Sequence, residues 1–149
     1  MLQHIDEISG IGLHLDLVLR KVQDAYLRTF KELHIDLTIE QWVILYRIYQ
    51  LGSQASQTEI VKSNFRNRAT TSRVIGGLEK KGYIKKTRFD GDMKRYKLKL
   101  TTNGQALIAK IEPHAKQLRK RAVKNLDTAA FDTFLNVLDQ IGENYSVME

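Results

Sequence analysis

Apolar residues along this chain fall mostly at intervals of three and four, and the interval shortens to two in one stretch past the middle. Ile5, Ile8, Leu15, Leu19, Val22, Tyr26 and Leu33 keep the helical spacing, which predicts one long amphipathic helix over about 5–33 despite the interruption at Gly12. Within it, IGLHLDLVL also alternates like a strand. No turn residue bounds that segment from Leu15 onward, and the helical register continues past it, so helix is the reading kept. Thr38 with Gln41 has capping-box spacing ahead of Trp42, Leu45, Tyr46 and Tyr49, and Ser56 with Glu59 repeats it ahead of Ile60 and Val61. Two further helices are predicted there.

Asn67 is a suitable N-cap for a fourth helix, NRATTSRVIGGLEKK, and Gly82 directly after Lys80 and Lys81 is a C-terminal stop. YIKKTRF and KRYKLKL then alternate on either side of Asp90-Gly91-Asp92, the pattern of a β-hairpin. Thr101-Thr102 opens a helix through Leu107, Ile111, Leu118, Ala122 and Leu126, with a kink expected at Pro113. Asp127 caps a last helix through Phe131, Phe134, Leu138, Ile141 and Tyr145. This order predicts a mainly α fold with a small β-wing: a winged helix-turn-helix of six helices and a two-stranded hairpin, forming a single domain over 1–149. The winged lobe occupies about 38–101, and the helices at about 5–33 and 103–146 flank it. Their apolar stripes are longer than so small a lobe can cover, which predicts a homodimer with a shared helical core.

The fourth helix raises the functional question. At about 100° per residue, Thr71, Val74, Ile75 and Leu78 share one face, and Ala69, Ser72, Arg73, Gly76 and Lys80 share the other. The second face is small and cationic where solvating glutamates are usual. Charge agrees with it. Of the net +7, residues 60–99 hold a local +10 and the remainder −3. Such segregation is the footprint of a polyanion partner, nucleic acid above all. A bare helix face lets the backbone approach the major groove, where arginine reaches guanine edges and hydroxyls hold phosphates. The candidate DNA-contacting residues are Arg66, Asn67, Arg68, Ala69, Thr70, Ser72 and Arg73 around the helix start, with Arg88, Lys94 and Arg95 on the hairpin.

Three fragments in order, LTIEQWVIL, TEIVKSNFRNRATTSRVIGGLEKKGYIKK and DMKRYKLKLTTNG, make the sequence resemble the MarR family of winged helix-turn-helix regulators over nearly its whole length. The resemblance implies a homodimer joined through its terminal helices, a pseudo-palindromic operator in double-stranded DNA, a repressor role and, often, release by a small-molecule effector. It matches Ser72 and Arg73 to the family's polar-arginine pair on the recognition helix and Asp92 to the wing aspartate. Where the family usually follows that aspartate with two arginines, this chain has Met93 and Lys94, with Arg95 one place later. Lys94 and Arg95 are both candidates for the minor groove, and arginine suits a narrow one better.

Other readings are weaker. Gly76-Gly77 in mid-helix fits close helix packing and close DNA approach equally well. Tyr26, Phe30, Trp42 and Tyr46 fit core packing, and they would also wall an effector pocket. The four histidines show no ligand-type spacing, so no metal is expected, nor any cofactor. Nucleophile elbows, phosphate loops and cysteine nucleophiles are missing from the sequence, which argues against an enzyme. No apolar run is long enough for a bilayer and no leader is evident, so the expected compartment is cytoplasmic, with no membrane partner. With 149 residues, 42% hydrophobic and 28% charged, the composition is that of an ordinary globular protein without cysteine. A basic module binding RNA or an anionic surface without sequence preference remains the alternative.

Overall fold

The structure, a computed structural model, describes residues 10–64, 67–89 and 91–146, with the side chains of Asn64, Asp92, Met93, Lys94 and Arg95 outside the description. Among the described residues six α-helices and one hairpin follow the predicted order: α1 (Gly10–Glu32), α2 (Ile39–Leu51), α3 (Gln57–Asn64), α4 (Arg68–Lys80), β1 (Ile84–Phe89), β2 (Asp92–Leu100), α5 (Thr102–Ala122) and α6 (Thr128–Ser146). A single 3-10 turn, Gly52–Gln54, follows α2. The chain divides into two compact units, Met1–His114 and Ala115–Glu149.

In the first unit α1 is continuous through Gly12 and through the alternating segment; Ile5 and Ile8, expected in the same helix, lie outside the described residues. His34 ends it in the left-handed region (φ 56°), and the Ile35 N–H returns to the Phe30 carbonyl at 2.8 Å. The capping box forms as its spacing predicts: the Gln41 N–H donates to Thr38 Oγ1, and the Thr38 N–H donates to Gln41 Oε1, both at 3.1 Å. Ser56 Oγ accepts from the Glu59 N–H at the start of α3.

The core lies where α2, α3, α4, the hairpin and the start of α5 meet. Ile44, Leu45 and Ile48 of α2, Ile60 of α3, Ile75 and Leu78 of α4, and Ile84 and Leu98 of the hairpin are all buried there, joined by Leu107, Ile108 and Ile111. Each such side chain stabilises the fold by roughly 1.5–3 kcal/mol relative to exposure. The hairpin is antiparallel, with Ile84 opposite Leu100, Lys86 opposite Leu98 and Arg88 opposite Tyr96, and it shifts register between Arg88 and Phe89. Gly91 supplies the positive φ (76°) that the tight turn needs. A bridge between Ser56 and Lys97, with the Leu98 N–H on the Ala55 carbonyl at 2.9 Å, ties the hairpin to the helix-turn-helix.

The LTTNG segment closes this unit for a steric reason. Thr101 Oγ1 donates to the Gly82 carbonyl and accepts from the Gly104 N–H. Gly104 lies so close to Tyr83 that a Cβ there would collide with the Tyr83 carbonyl oxygen.

One boundary differs from the sequence expectation. The apolar period runs to Leu126, but α5 ends at Ala122, and Asn125 takes a left-handed conformation (φ 64°). Asparagine tolerates that geometry, and Asp127 must sit outside a helix to cap α6, where its Oδ1 accepts from the Ala130 N–H at 2.7 Å. α5 runs unbroken through Pro113. In the second unit Phe131 and Phe134 stack at 6.1 Å, and no residue of α6 is buried. No helix among the described residues is long and apolar enough to cross a membrane.

Candidate nucleic-acid interface

The orientation of α4 follows from its own sequence. Asn67 caps it, its Oδ1 accepting from the Thr70 N–H at 2.8 Å with an extended backbone (φ −67°, ψ 159°). Thr71, Ile75 and Leu78 are buried and Val74 half-buried, so the apolar stripe faces the core. The opposite side presents Arg68, Ala69, Arg73 and Lys80 to solvent, with Ser72 and Gly76 half-exposed among them. The division predicted from periodicity is therefore the one the packing produces.

The two glycines separate. A Cβ on Gly77 would come within 3.1 Å of Gln41 Nε2, so α2 and α4 approach closely there; at Gly76 a Cβ would meet nothing within 4 Å. Packing accounts for Gly77 and leaves Gly76 bare on the exposed face. Gln41 also holds the far end of α4. Its Oε1 accepts from Lys81 Nζ at 2.9 Å, and the same ammonium donates to the Asp36 carbonyl at 2.9 Å. The capping-box spacing predicts one partner for Gln41, and nothing in the local pattern signals the second, 40 residues away.

On the hairpin, Arg88 lies over the Tyr96 ring at 5.8 Å and Lys86 over the same ring at 5.9 Å. Asp92, Lys94 and Arg95 occupy the first part of β2, and their side chains lie outside the description, as does all of Arg66.

The aromatic residues form a chain rather than one wall. Tyr26, Phe30, Trp42, Tyr46 and Tyr49 follow one another at ring distances of 6.4, 6.1, 5.1 and 5.8 Å. Tyr26 and Trp42 border a cavity of about 390 Å³; Phe30, 2% exposed, packs between their two rings, and the Tyr46 hydroxyl donates to Glu112 Oε1 at 3.4 Å. Neither Phe30 nor Tyr46 borders that cavity. Residues unsuspected from sequence border it too, among them Leu19 and Val22 of α1, Glu40 and Val43 of α2, and Thr70, Thr71 and Val74 of α4. The Thr71 hydroxyl is buried without a hydrogen-bond partner among the described residues.

A helix-turn-helix whose second helix shows a bare cationic face, followed by a basic antiparallel hairpin, defines the winged helix-turn-helix class. Residues 37–96, which hold most of this lobe, match the sequence model of the MarR family. Over those residues the chain is similar to the DNA-binding lobe of MarR family regulators. The fold likeness extends further along the chain. A protein described as a MarR family transcriptional regulator from Listeria monocytogenes, solved with a 26mer DNA, is 27% identical over 92% of this chain and 89% of its own, with a TM-score of 0.77. MepR of S. aureus, solved as a DNA complex, is 19% identical over 90% of this chain and 97% of its own (TM-score 0.80). BpsR of Bordetella bronchiseptica, whose DNA binding is regulated by 6-hydroxynicotinic acid, is 22% identical over 90% of this chain and 94% of its own (TM-score 0.76).

Proposed function

We propose that the protein is a sequence-specific DNA-binding repressor that engages a pseudo-palindromic operator as a homodimer, with α4 in the major groove and the wing in the adjacent minor groove. The observation that carries this reading is the exposed side of α4, where Ala69, Ser72, Arg73 and Gly76 leave a small cationic surface directly above a helix anchored by Ile75 and Leu78. In this reading Arg73 reads a base edge, while Asn67, Arg68, Thr70 and Ser72 position the helix start against phosphates. Arg66 extends that cluster, and Ala69 lets the backbone come close. Arg88, Lys94 and Arg95 approach the minor groove, with Asp92 holding the hairpin.

Two helices support a homodimer, each within its own unit. In α1, Leu13, Leu17, Val18 and Leu19 are about half exposed; in α6, Phe134, Leu135, Val137 and Tyr145 are exposed. Apolar stripes of this size on a DNA-binding chain fit a self-complementary interface, and two-fold symmetry would repeat α4 for the two operator half-sites.

The cavity beside α4 fits an effector. Thr70, Thr71 and Val74 belong both to its wall and to the helix that carries Arg73, so an occupant favouring a shifted α4 would lower operator affinity by its differential binding to the two states. Glu40 is the one acidic or basic side chain among the described residues that borders the cavity, which favours a neutral or cationic aromatic ligand able to hydrogen-bond Thr71.

Fluorescence anisotropy with the chain's own upstream duplex and with scrambled duplexes, at several salt concentrations, tests the proposal. A preference of about 10³-fold or more for one duplex is expected. Equal affinity for all duplexes at every salt concentration would leave only phosphate attraction and sink the operator reading. Transcription in vitro from the cognate promoter then tests the sign of regulation.

A further inference from the structure

The hairpin carries a second basic feature, away from α4. Lys85 stands directly opposite Lys99, and Thr87 opposite Lys97, which puts three lysines on one face of a two-stranded sheet. Like charges directly opposite one another weaken a sheet. Among the described residues none of the three takes part in an ion pair, and no carboxylate borders the cavity of about 550 Å³ that all three line. Ser53, Thr87 and Gln105 line it too, adding hydroxyl and amide donors. Its remaining wall is apolar: Ile48 and Leu98 at the floor, and the Tyr49 ring, 51% exposed, at the rim. No residue of α4 contributes.

We propose that this cavity is a binding site for a small polyanion with a planar ring, of the nucleoside di- or triphosphate class, separate from the DNA-reading surface. The lysines and neighbouring donors take the phosphate oxygens, and the ring lies against Tyr49. A pocket with a cationic side and an apolar side fits a free nucleotide, which offers a ring as well as phosphates, better than a duplex backbone, which offers phosphate and sugar alone. Lys97 bridges to Ser56, which caps α3, so the wall of the site is continuous with the helix-turn-helix. A bound polyanion would also offset the basic excess of the wing and weaken attraction to operator DNA.

The test is isothermal titration calorimetry of the full chain with ATP, ADP, inorganic pyrophosphate and adenosine at constant ionic strength. Expected are saturable binding of ATP at one site per chain, weaker binding of pyrophosphate, and none of adenosine. Lys85→Gln with Lys99→Gln should lower ATP affinity by about tenfold or more, Tyr49→Ala should weaken ATP more than pyrophosphate, and Arg73→Ala should change neither. Removing a like-charge pair should leave the melting temperature unchanged or raised; if the double variant fails to fold, Tyr49→Ala and the wild-type titrations decide. Absence of saturable binding by ATP, ADP and pyrophosphate overturns the proposal. So does ATP binding that Arg73→Ala abolishes, since the anion would then occupy the DNA-reading face. Loss of operator affinity in the lysine variant without any small-anion binding would assign these lysines to the duplex instead.

Discussion

Replacing Gly76 is expected to strengthen the fold and weaken DNA binding at once, a combination that separates the two explanations for a glycine in mid-helix. Glycine in a helix interior is about 0.8–1 kcal/mol less favourable than alanine. At Gly76 nothing lies within 4 Å of the position a Cβ would take, so no steric term offsets that gain. For a chain of this size the difference raises the melting temperature by about 2–4 °C. Gly77 is the control. Its Cβ would stand 3.1 Å from Gln41 Nε2, and Gln41 also accepts from Lys81 and caps α2, so Gly77→Ala should gain less or lose stability. On the DNA side, Gly76→Leu places a branched side chain in line with Arg73 and Ser72 where the helix would meet the groove. An overpacked contact of that kind costs about 1–3 kcal/mol, close to tenfold to a hundredfold in operator affinity. Thermal melting by circular dichroism gives the first quantity and anisotropy with operator duplex the second. Wild-type operator affinity in Gly76→Leu would refute the placement of this face in the major groove.

Arg73→Ala should weaken operator binding by roughly 1–3 kcal/mol per half-site and relax preference at one base pair, if the guanidinium makes a bidentate guanine contact; an equal loss on scrambled duplexes would reduce it to a phosphate clamp. Gly104→Ala should destabilise the fold by about 1–3 kcal/mol through collision with the Tyr83 carbonyl, and an unchanged urea midpoint would contradict that close approach. Sedimentation at micromolar concentration should show a dimer, and Phe134→Asp, which puts a charge on the exposed apolar side of α6, should shift it toward monomer; a monodisperse wild-type monomer would remove the dimer from the proposed mechanism. Val74→Phe should partly fill the cavity beside α4 and reduce affinity for any effector found there, while Tyr49→Ala, at the other cavity, should leave that affinity intact.

Local order was legible because its causes are local. Thr38-x-x-Gln41 and Asn67 are caps whose hydrogen bonds span three residues, so the pattern alone locates the starts of α2 and α4. The faces of α4 follow from helical period, and Gly91 supplies the hairpin turn with a positive φ that glycine adopts without strain. The basic excess between residues 60 and 99 is a property of composition and needs no coordinates. Where two local signals competed, as at Asn125 and Leu126, apolar period alone overran the helix end.

Tertiary structure decided whatever depends on pairs distant in sequence. Gly76 and Gly77 are indistinguishable as a dipeptide, and only the approach of Gln41 from α2 makes one a packing glycine and the other a bare one. Tyr26, Phe30, Trp42 and Tyr46 look alike as aromatic core residues; the ring-to-ring contacts of α1 with α2 decide which of them border a cavity and which lie behind it. The pairing of Lys85 with Lys99 exists only through hairpin register, and Ser53 joins them from the 3-10 turn after α2 and Gln105 from α5. The physical reason is common to all three. Periodicity and capping report the free energy of a segment with its immediate neighbours, whereas a cavity or a charge cluster is made by the packing of segments whose meeting no single stretch encodes.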